Sequence, residues 1–428
     1  MLILGQAPGR ADVRAIFLVF FFEALALGQW IPRIPDVKSA LQLSDAQLGL
    51  GLLSLPLGTL LAFTVSGRIV QRTGLRNACR VFLPLWAVLL ISPAFAQSLV
   101  QLMIALAISG FAVGMIETAM NTEAARIENS VGKRLMSRCH GCWSIGTMIG
   151  ALVGGIFAHN GISVGTHFLL VMPLIAIGGY IAATSLPLMS KLMSNETISH
   201  PVSQSEAPSS SEQDEQVSPV ELAPSPPEVS ELSSADKGEL FALPSRAIML
   251  LCIMPLGIMT VEGAFIDWSA VFMRDVMAAS PLLVAVTYSF FSIVMAAVRL
   301  SGDYITDRVG EVMVVRASGL AATLGISLFA LAPSTLWVFV GAAISGAGVA
   351  IVFPLAVTAA ANRPGNSPAH NVAALNIVAF TAFLAAPPLI GFMSEAMGLR
   401  LALLCLAPLA FATFLLADET RQAGDRQR

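Results

Sequence analysis

Apolar residues run along this chain in long stretches separated by short polar segments. A spanning helix needs roughly 20 mainly apolar residues. Twelve stretches qualify: 14–34, 46–66, 80–97, 99–121, 141–160, 167–188, 247–272, 282–301, 313–332, 336–360, 371–393 and 399–417. Unpaired backbone groups are costly in lipid, so each stretch predicts an α-helix. Pro84, Pro173, Pro255, Pro354, Pro387 and Pro388 fall inside them, which membrane helices tolerate. The first stretch follows Arg10 and Arg14 and runs past twenty residues, so a retained helix is expected rather than a cleaved signal segment.

One segment breaks the pattern. Residues 190–245 are rich in Ser, Pro and Glu, cannot build a core, and predict a disordered cytoplasmic linker. Residues 1–189 are then expected to form an N-terminal six-helix bundle and residues 246–428 a C-terminal one. The expected fold is an all-α membrane protein of 12 transmembrane helices in two pseudo-symmetric six-helix bundles.

Composition narrows the class. Of 428 residues, 56% are hydrophobic and 12% charged, about half the charge of a soluble domain. That argues against a cytosolic enzyme, a disordered chain or, without a basic face, a nucleic-acid binder. The net charge of −3 is unevenly spread: the linker carries ten acids and two bases, and the rest of the chain is at +5. With a cytoplasmic N-terminus, 20 Lys and Arg fall inside and only Arg33, Lys38, Arg274 and Arg400 outside. This bias places both termini and the linker in the cytoplasm. The five cysteines are odd in number and lie in or beside apolar stretches, so no disulfide framework is expected. Cys139-x-x-Cys142 lacks the βαβ surroundings of a redox motif, and neither metal nor cofactor is expected.

The halves repeat each other. Glu23, Trp30 and Asp36-Val37 in the first stretch match Glu262, Trp268 and Asp275-Val276 in the seventh, at offsets of 239, 238 and 239. Ser109-Gly110 matches Ser345-Gly346, and Arg72-Thr73-Gly74 matches Arg308-Val309-Gly310, both at 236. Parallel six-helix repeats around a midplane site suit a transporter that rocks between two open states.

The segment Gly67-Arg68-Ile69-Val70-Gln71-Arg72-Thr73-Gly74-Leu75-Arg76 resembles the G-x-x-x-D-R-x-G-x-R loop of the major facilitator superfamily, with Gln71 replacing Asp. The second copy, from Asp303 to Gly310, keeps the acid as Asp307 before Arg308. A closer resemblance is to the branch of MosC-like and YbjJ-like bacterial membrane proteins, related to fucose–proton symporters. It is carried by Phe20–Phe22, Trp30 with Arg33 and Pro35, and Glu117-Thr118-Ala119-Met120-Asn121. His140-Gly141 with Ser144-Ile145-Gly146, Glu262-Gly263 with Asp267-Trp268, and Val315-Arg316-Ala317-Ser318 extend it. The resemblance implies proton-coupled transport and a gating role for Gly67, Arg72, Gly74, Asp303, Asp307, Arg308 and Gly310.

Four acids lie within apolar stretches: Glu23, Glu117, Glu262 and Asp267. Each costs roughly 2.5–3.5 kcal/mol at the bilayer centre even on the lenient insertion scale. No cation is expected at their depth, because Arg33, Arg274 and Arg299 lie nearer stretch ends and can snorkel. Unpaired acids of this kind can carry protons, or be neutral hydrogen-bonded core residues. The resemblance assigns the acid at Glu117 to substrate and proton coupling. Glu262 and Asp267 sit about 140° apart on a helix, so only one is expected to face a cavity, Glu262 before Asp267. Asp267 is instead expected to hold Arg274.

Asn121 follows Glu117 by one turn and offers a donor and an acceptor to a hydroxylated solute, or to a neighbouring helix. Trp30, Trp143 and Trp268 can stack on a sugar face or simply mark packing and interfaces. Gln29 and Asn376 are further polar candidates. Gly146, Gly150, Gly154 and Gly155 approach an antiporter motif, but Ala151 replaces its Pro, and close helix packing is the preferred reading.

The functional expectation is a monomeric, multi-pass inner-membrane transporter moving a small polar solute, such as a sugar or polyol, with protons. Proton-driven efflux of an amphipathic compound is the alternative, and a non-transporting sensor acting through the linker a further one. No nucleotide loop or nucleophile–base pair suggests an enzyme.

Overall fold

The computed structural model describes residues 10–132, 135–187, 245, 248–363 and 368–421. The expected linker, apart from Ser245, lies outside the described residues.

Among the described residues the chain is helical throughout. Eleven helices are long and apolar enough to cross a membrane. They are α1 (Ala11–Ala40), α2 (Asp45–Thr73), α3 (Leu75–Phe95), α4 (Leu99–Val131), α5 (Met136–His159) and α6 (Val164–Thr184). The series continues with α7 (Met249–Val276), α8 (Pro281–Val309), α9 (Glu311–Leu331), α10 (Thr335–Ala361) and α11 (His370–Met397). The shorter α12 (Leu399–Leu415) completes it. Several helices outrun their apolar stretch at one end, because polar residues there still form helix outside hydrocarbon. Local chemistry sets the ends. Ser44 caps α2 in a reciprocal pair with Gln47, and Ser98 and Ser163 cap α4 and α6, satisfying amides that have no intrahelical partner.

The pairings among α1–α6 recur among α7–α12. Helix α1 packs on α5 as α7 does on α11, α2 on α4 as α8 on α10, and α3 on α6 as α9 on α12. The repeat extends to single contacts. A Cβ on Gly110 would strike the Leu55 carbonyl, and one on Gly346 would strike the Phe291 carbonyl. Leu55 and Phe291 are themselves 236 residues apart. Gly74 and Gly310 end α2 and α8 with φ, ψ of +81°, 149° and +88°, 149°, a region that L side chains rarely adopt.

Symmetry fails in two places that matter. Helix α10 breaks around Ala350, between Val349 and Val352, where α4 is continuous. The seams joining the halves also differ. Where α5 meets α8, the Thr147 and Ser292 hydroxyls lie 2.8 Å apart and Ser292 donates to the Ser144 carbonyl at 2.8 Å. Where α2 meets α11, Phe63 and Phe380 make an edge-to-face pair at 5.5 Å.

The α5 glycines serve packing. A Cβ on Gly150 would lie 2.5 Å from the Leu25 carbonyl, and Gly146 abuts the Phe21 carbonyl in the same way. Helix α5 is thereby seated against α1, which brings Trp143 to Glu23.

Candidate transport site

Helix α1 carries Glu23 into the interior, where it is 1% exposed. One of its carboxylate oxygens accepts a hydrogen bond from Trp143 Nε1 of α5 at 2.7 Å. Its backbone carbonyl accepts one from Trp86 Nε1 of α3 at 3.2 Å. The carboxyl of Glu117, on α4, is close enough to repel that of Glu23. Four helices, α1, α3, α4 and α5, therefore meet around two acids that form no ion pair among the described residues. The Asn121 amide donates to the Glu117 backbone carbonyl at 2.9 Å, an intrahelical contact that leaves its side-chain oxygen available.

The acids of α7 have different surroundings. Glu262 is not unpaired: its Oε1 lies 3.1 Å from Arg299 Nη2. The expectation that Arg299 snorkels from a helix end is corrected. It lies ten residues before the end of α8, about 15 Å along the axis, and its head turns inward. Nη1 donates to Ser144 Oγ at 3.2 Å and Nε to the Ala350 carbonyl at 3.2 Å. One side chain thus ties α7, α8, α5 and the break in α10. That break frees carbonyls from their usual partners, which explains why a guanidinium fits there.

Asp267 is half-buried and makes no ion pair among the described residues. The expected contact with Arg274 does not form, because Arg274 turns to Asp36 of α1, 4.0 Å away. The phenol of Tyr288 feels Glu262, Asp267 and Arg299 electrostatically and points toward Thr147. Its buried hydroxyl has no hydrogen bond of normal length.

The other candidates are spread more widely. Trp30 and Trp268 are both buried, and Trp268 Nε1 has no acceptor among the described residues. Gln29 is paired with His167 at 2.9 Å, and His167 stacks on Phe157. Gln29 also borders an apolar groove with Phe22, Leu25 and Val171. Asn376 is exposed on α11.

Among the gating candidates, Gly67 has open space where a Cβ would point, while Gly74 and Gly310 close helices. Arg72 is exposed, and Arg308 lies over the Tyr304 ring at 4.6 Å. Asp303 and Asp307 form no ion pair among the described residues. Further polar links between the halves lie at the opposite end. Lys38 Nζ sits 2.5 Å from Asp45 Oδ1 and 2.5 Å from Asp275 Oδ2. Ser394 donates to Asp45 at 2.5 Å, and Ser44 donates to Glu395 at 2.9 Å. Arg33 is buried, pairs with Asp36 at 3.1 Å and donates to the Ile162 carbonyl at 2.7 Å.

Sequence reasoning missed Arg299 as an acid's partner, Tyr288, the hydroxyls of Ser144, Thr147 and Ser292, and the Lys38 cluster. Hydroxyls at helical spacing on two stretches were a signal for the seam. It also passed over Glu123, a fully buried acid paired with Arg126 at 2.6 Å.

Comparison with known proteins gives a consistent placement. The family model of the Major Facilitator Superfamily matches residues 16–382. An uncharacterized MFS-type transporter of Yersinia pestis is 28% identical over 407 residues, covering 94% of this chain and 93% of the relative. The membrane protein MosC of Rhizobium meliloti is 25% identical over 400 residues, covering 93% and 87%. Among solved structures, the nucleoside transporter NupG aligns with TM-score 0.64 at 14% identity, covering 94% of this chain and 98% of that one; this likeness is one of fold.

Proposed function

The chain belongs to the Major Facilitator Superfamily and is a multi-pass membrane transporter, and from that premise we propose that it moves a small polar solute across the inner membrane together with protons. The observation that carries the reading is the pair of carboxyls, buried Glu23 and half-buried Glu117, held on neighbouring helices with an indole donor and, among the described residues, no cation. Acids kept in an apolar interior at such cost mark ion or proton pathways. The gating loops near Arg72 and Arg308 are read as cytoplasmic, with both termini on that side. On this reading the Lys38 cluster closes the outer end, and the described state faces the cytoplasm. Residues 1–189 and 246–428 act as the two rocking units, and one monomer suffices.

The test is uptake into proteoliposomes with an imposed pH gradient. The reading requires transport of a polar solute to follow the gradient and Glu117→Gln to uncouple it. Normal coupling in that variant overturns the assignment of Glu117. Proton-driven efflux of an amphipathic compound has no contact of its own in its favour, since the α5 glycines are used in seating α1.

A further inference from the structure

We infer that Arg299 recognises a carboxylate on the transported solute, so that the solute is an organic acid rather than a neutral sugar or polyol. The inference rests on the transport reading above and names the chemistry of its cargo.

The first support is the unsaturated fork of Arg299. A guanidinium presents five N–H donors in a plane suited to gripping a carboxylate through two of them. Here it makes three single contacts, to Glu262, Ser144 and the Ala350 carbonyl. Glu262 is held by one nitrogen only, leaving the two-pronged grip unused. An arginine inside a membrane protein is costly to keep, and a lone carbonyl at a helix break needs no charge to satisfy it.

The second support is independent. The Tyr288 hydroxyl is buried beside Thr147 and near Glu262, Arg299 and Asp267, yet among the described residues it lacks a hydrogen bond of normal length. Tyr288 precedes Arg299 by eleven residues, about three turns, and so shares its face of α8. Arg299 and the Tyr288 hydroxyl therefore offer donors along one face of α8. A carboxylate brings only acceptors, whereas each hydroxyl of a polyol brings a donor as well.

The solute carboxylate takes the place of the Glu262 carboxylate against Arg299, so that one ion pair replaces another.

Purified protein in detergent tests this by thermal shift and calorimetry, using gluconate against glucitol and galacturonate against galactose. The expected result is binding of a carboxylate and not of its neutral counterpart. Glu262→Gln removes the competing carboxylate from Arg299. It should bind the carboxylate about tenfold tighter, which a merely structural Arg299 would not produce. The double variant Glu262→Gln/Arg299→Gln, which leaves no unpaired charge, should weaken binding at least tenfold. Binding of the neutral compounds alone overturns the inference and leaves transport standing. Unchanged carboxylate binding in the double variant, or no shift from either series, also overturns it.

Discussion

Arg299 and Glu262 meet at 3.1 Å, whereas Glu23, which occupies the repeat position of Glu262, meets the indole of Trp143 at 2.7 Å. The duplicated acids have acquired unlike partners, a cation on one side and a neutral donor on the other. Removing one member of a buried ion pair leaves an uncompensated charge and costs about 3–5 kcal/mol. Arg299→Gln alone should therefore lower the thermal midpoint sharply, and Glu262→Gln/Arg299→Gln should recover much of it. Melting curves in detergent check the order. A double variant less stable than Arg299→Gln would refute the pairing.

The contact between Trp143 and Glu23 makes the indole a reporter. Proton binding at Glu23 changes the charge beside Trp143 Nε1, and Trp fluorescence should change with pH. The change is expected to disappear in Glu23→Gln and in Trp143→Phe, and to persist in Trp337→Phe, whose ring is exposed on α10. A pH response that survives in Glu23→Gln would place the proton elsewhere.

Lys38 joins α1, α2 and α7 through two carboxylates. Each partly exposed pair is worth about 0.2–1 kcal/mol, so Lys38→Ala should cost the closed end about 1 kcal/mol, roughly a fivefold shift toward opening there. Spin labels at positions 41 and 278, on a cysteine-free background, would report the longer distance population. An unaltered distribution counts against a latch.

Two glycines give a matched test of packing. Gly110→Ala drives a Cβ into the Leu55 carbonyl, whereas Gly67→Ala meets nothing within 4 Å. Overpacking a tight helix contact costs about 1–3 kcal/mol. Gly110→Ala should melt several degrees lower, and Gly67→Ala should match the parent. Equal midpoints would remove the close approach of α2 and α4.

The fold was legible because lipid imposes length and apolarity together. The stretch 46–66 became Asp45–Thr73 and 313–332 became Glu311–Leu331, with differences at polar ends where hydrocarbon no longer sets the limit. The site was legible only in part. Glu23 and Glu117 stand out because an acid in an apolar run is rare. The partner of Glu262 was hidden because the apolar stretch was read as ending at 301, two residues past Arg299. A long flexible side chain can snorkel outward or turn inward, and the break around Ala350 that turns it inward belongs to another helix. The Asp267–Arg274 expectation failed similarly: spacing on one helix could not reveal that Asp36 of α1 competes for the same guanidinium.

The Lys38 cluster also bears on how a duplicated protein becomes a directional one. Seven residues separate Val37 from Asp45, but only four separate the matching Val276 from Pro281. The three additional residues lie after Lys38, which stands in the last turn of α1 where the second copy has Met277. Two equal copies would present equal turns and no ammonium on one side alone to span them. The unequal turn gives the first copy a bolt that the second copy receives, so the shared frame supplies the moving parts and the unshared residues bias where they rest.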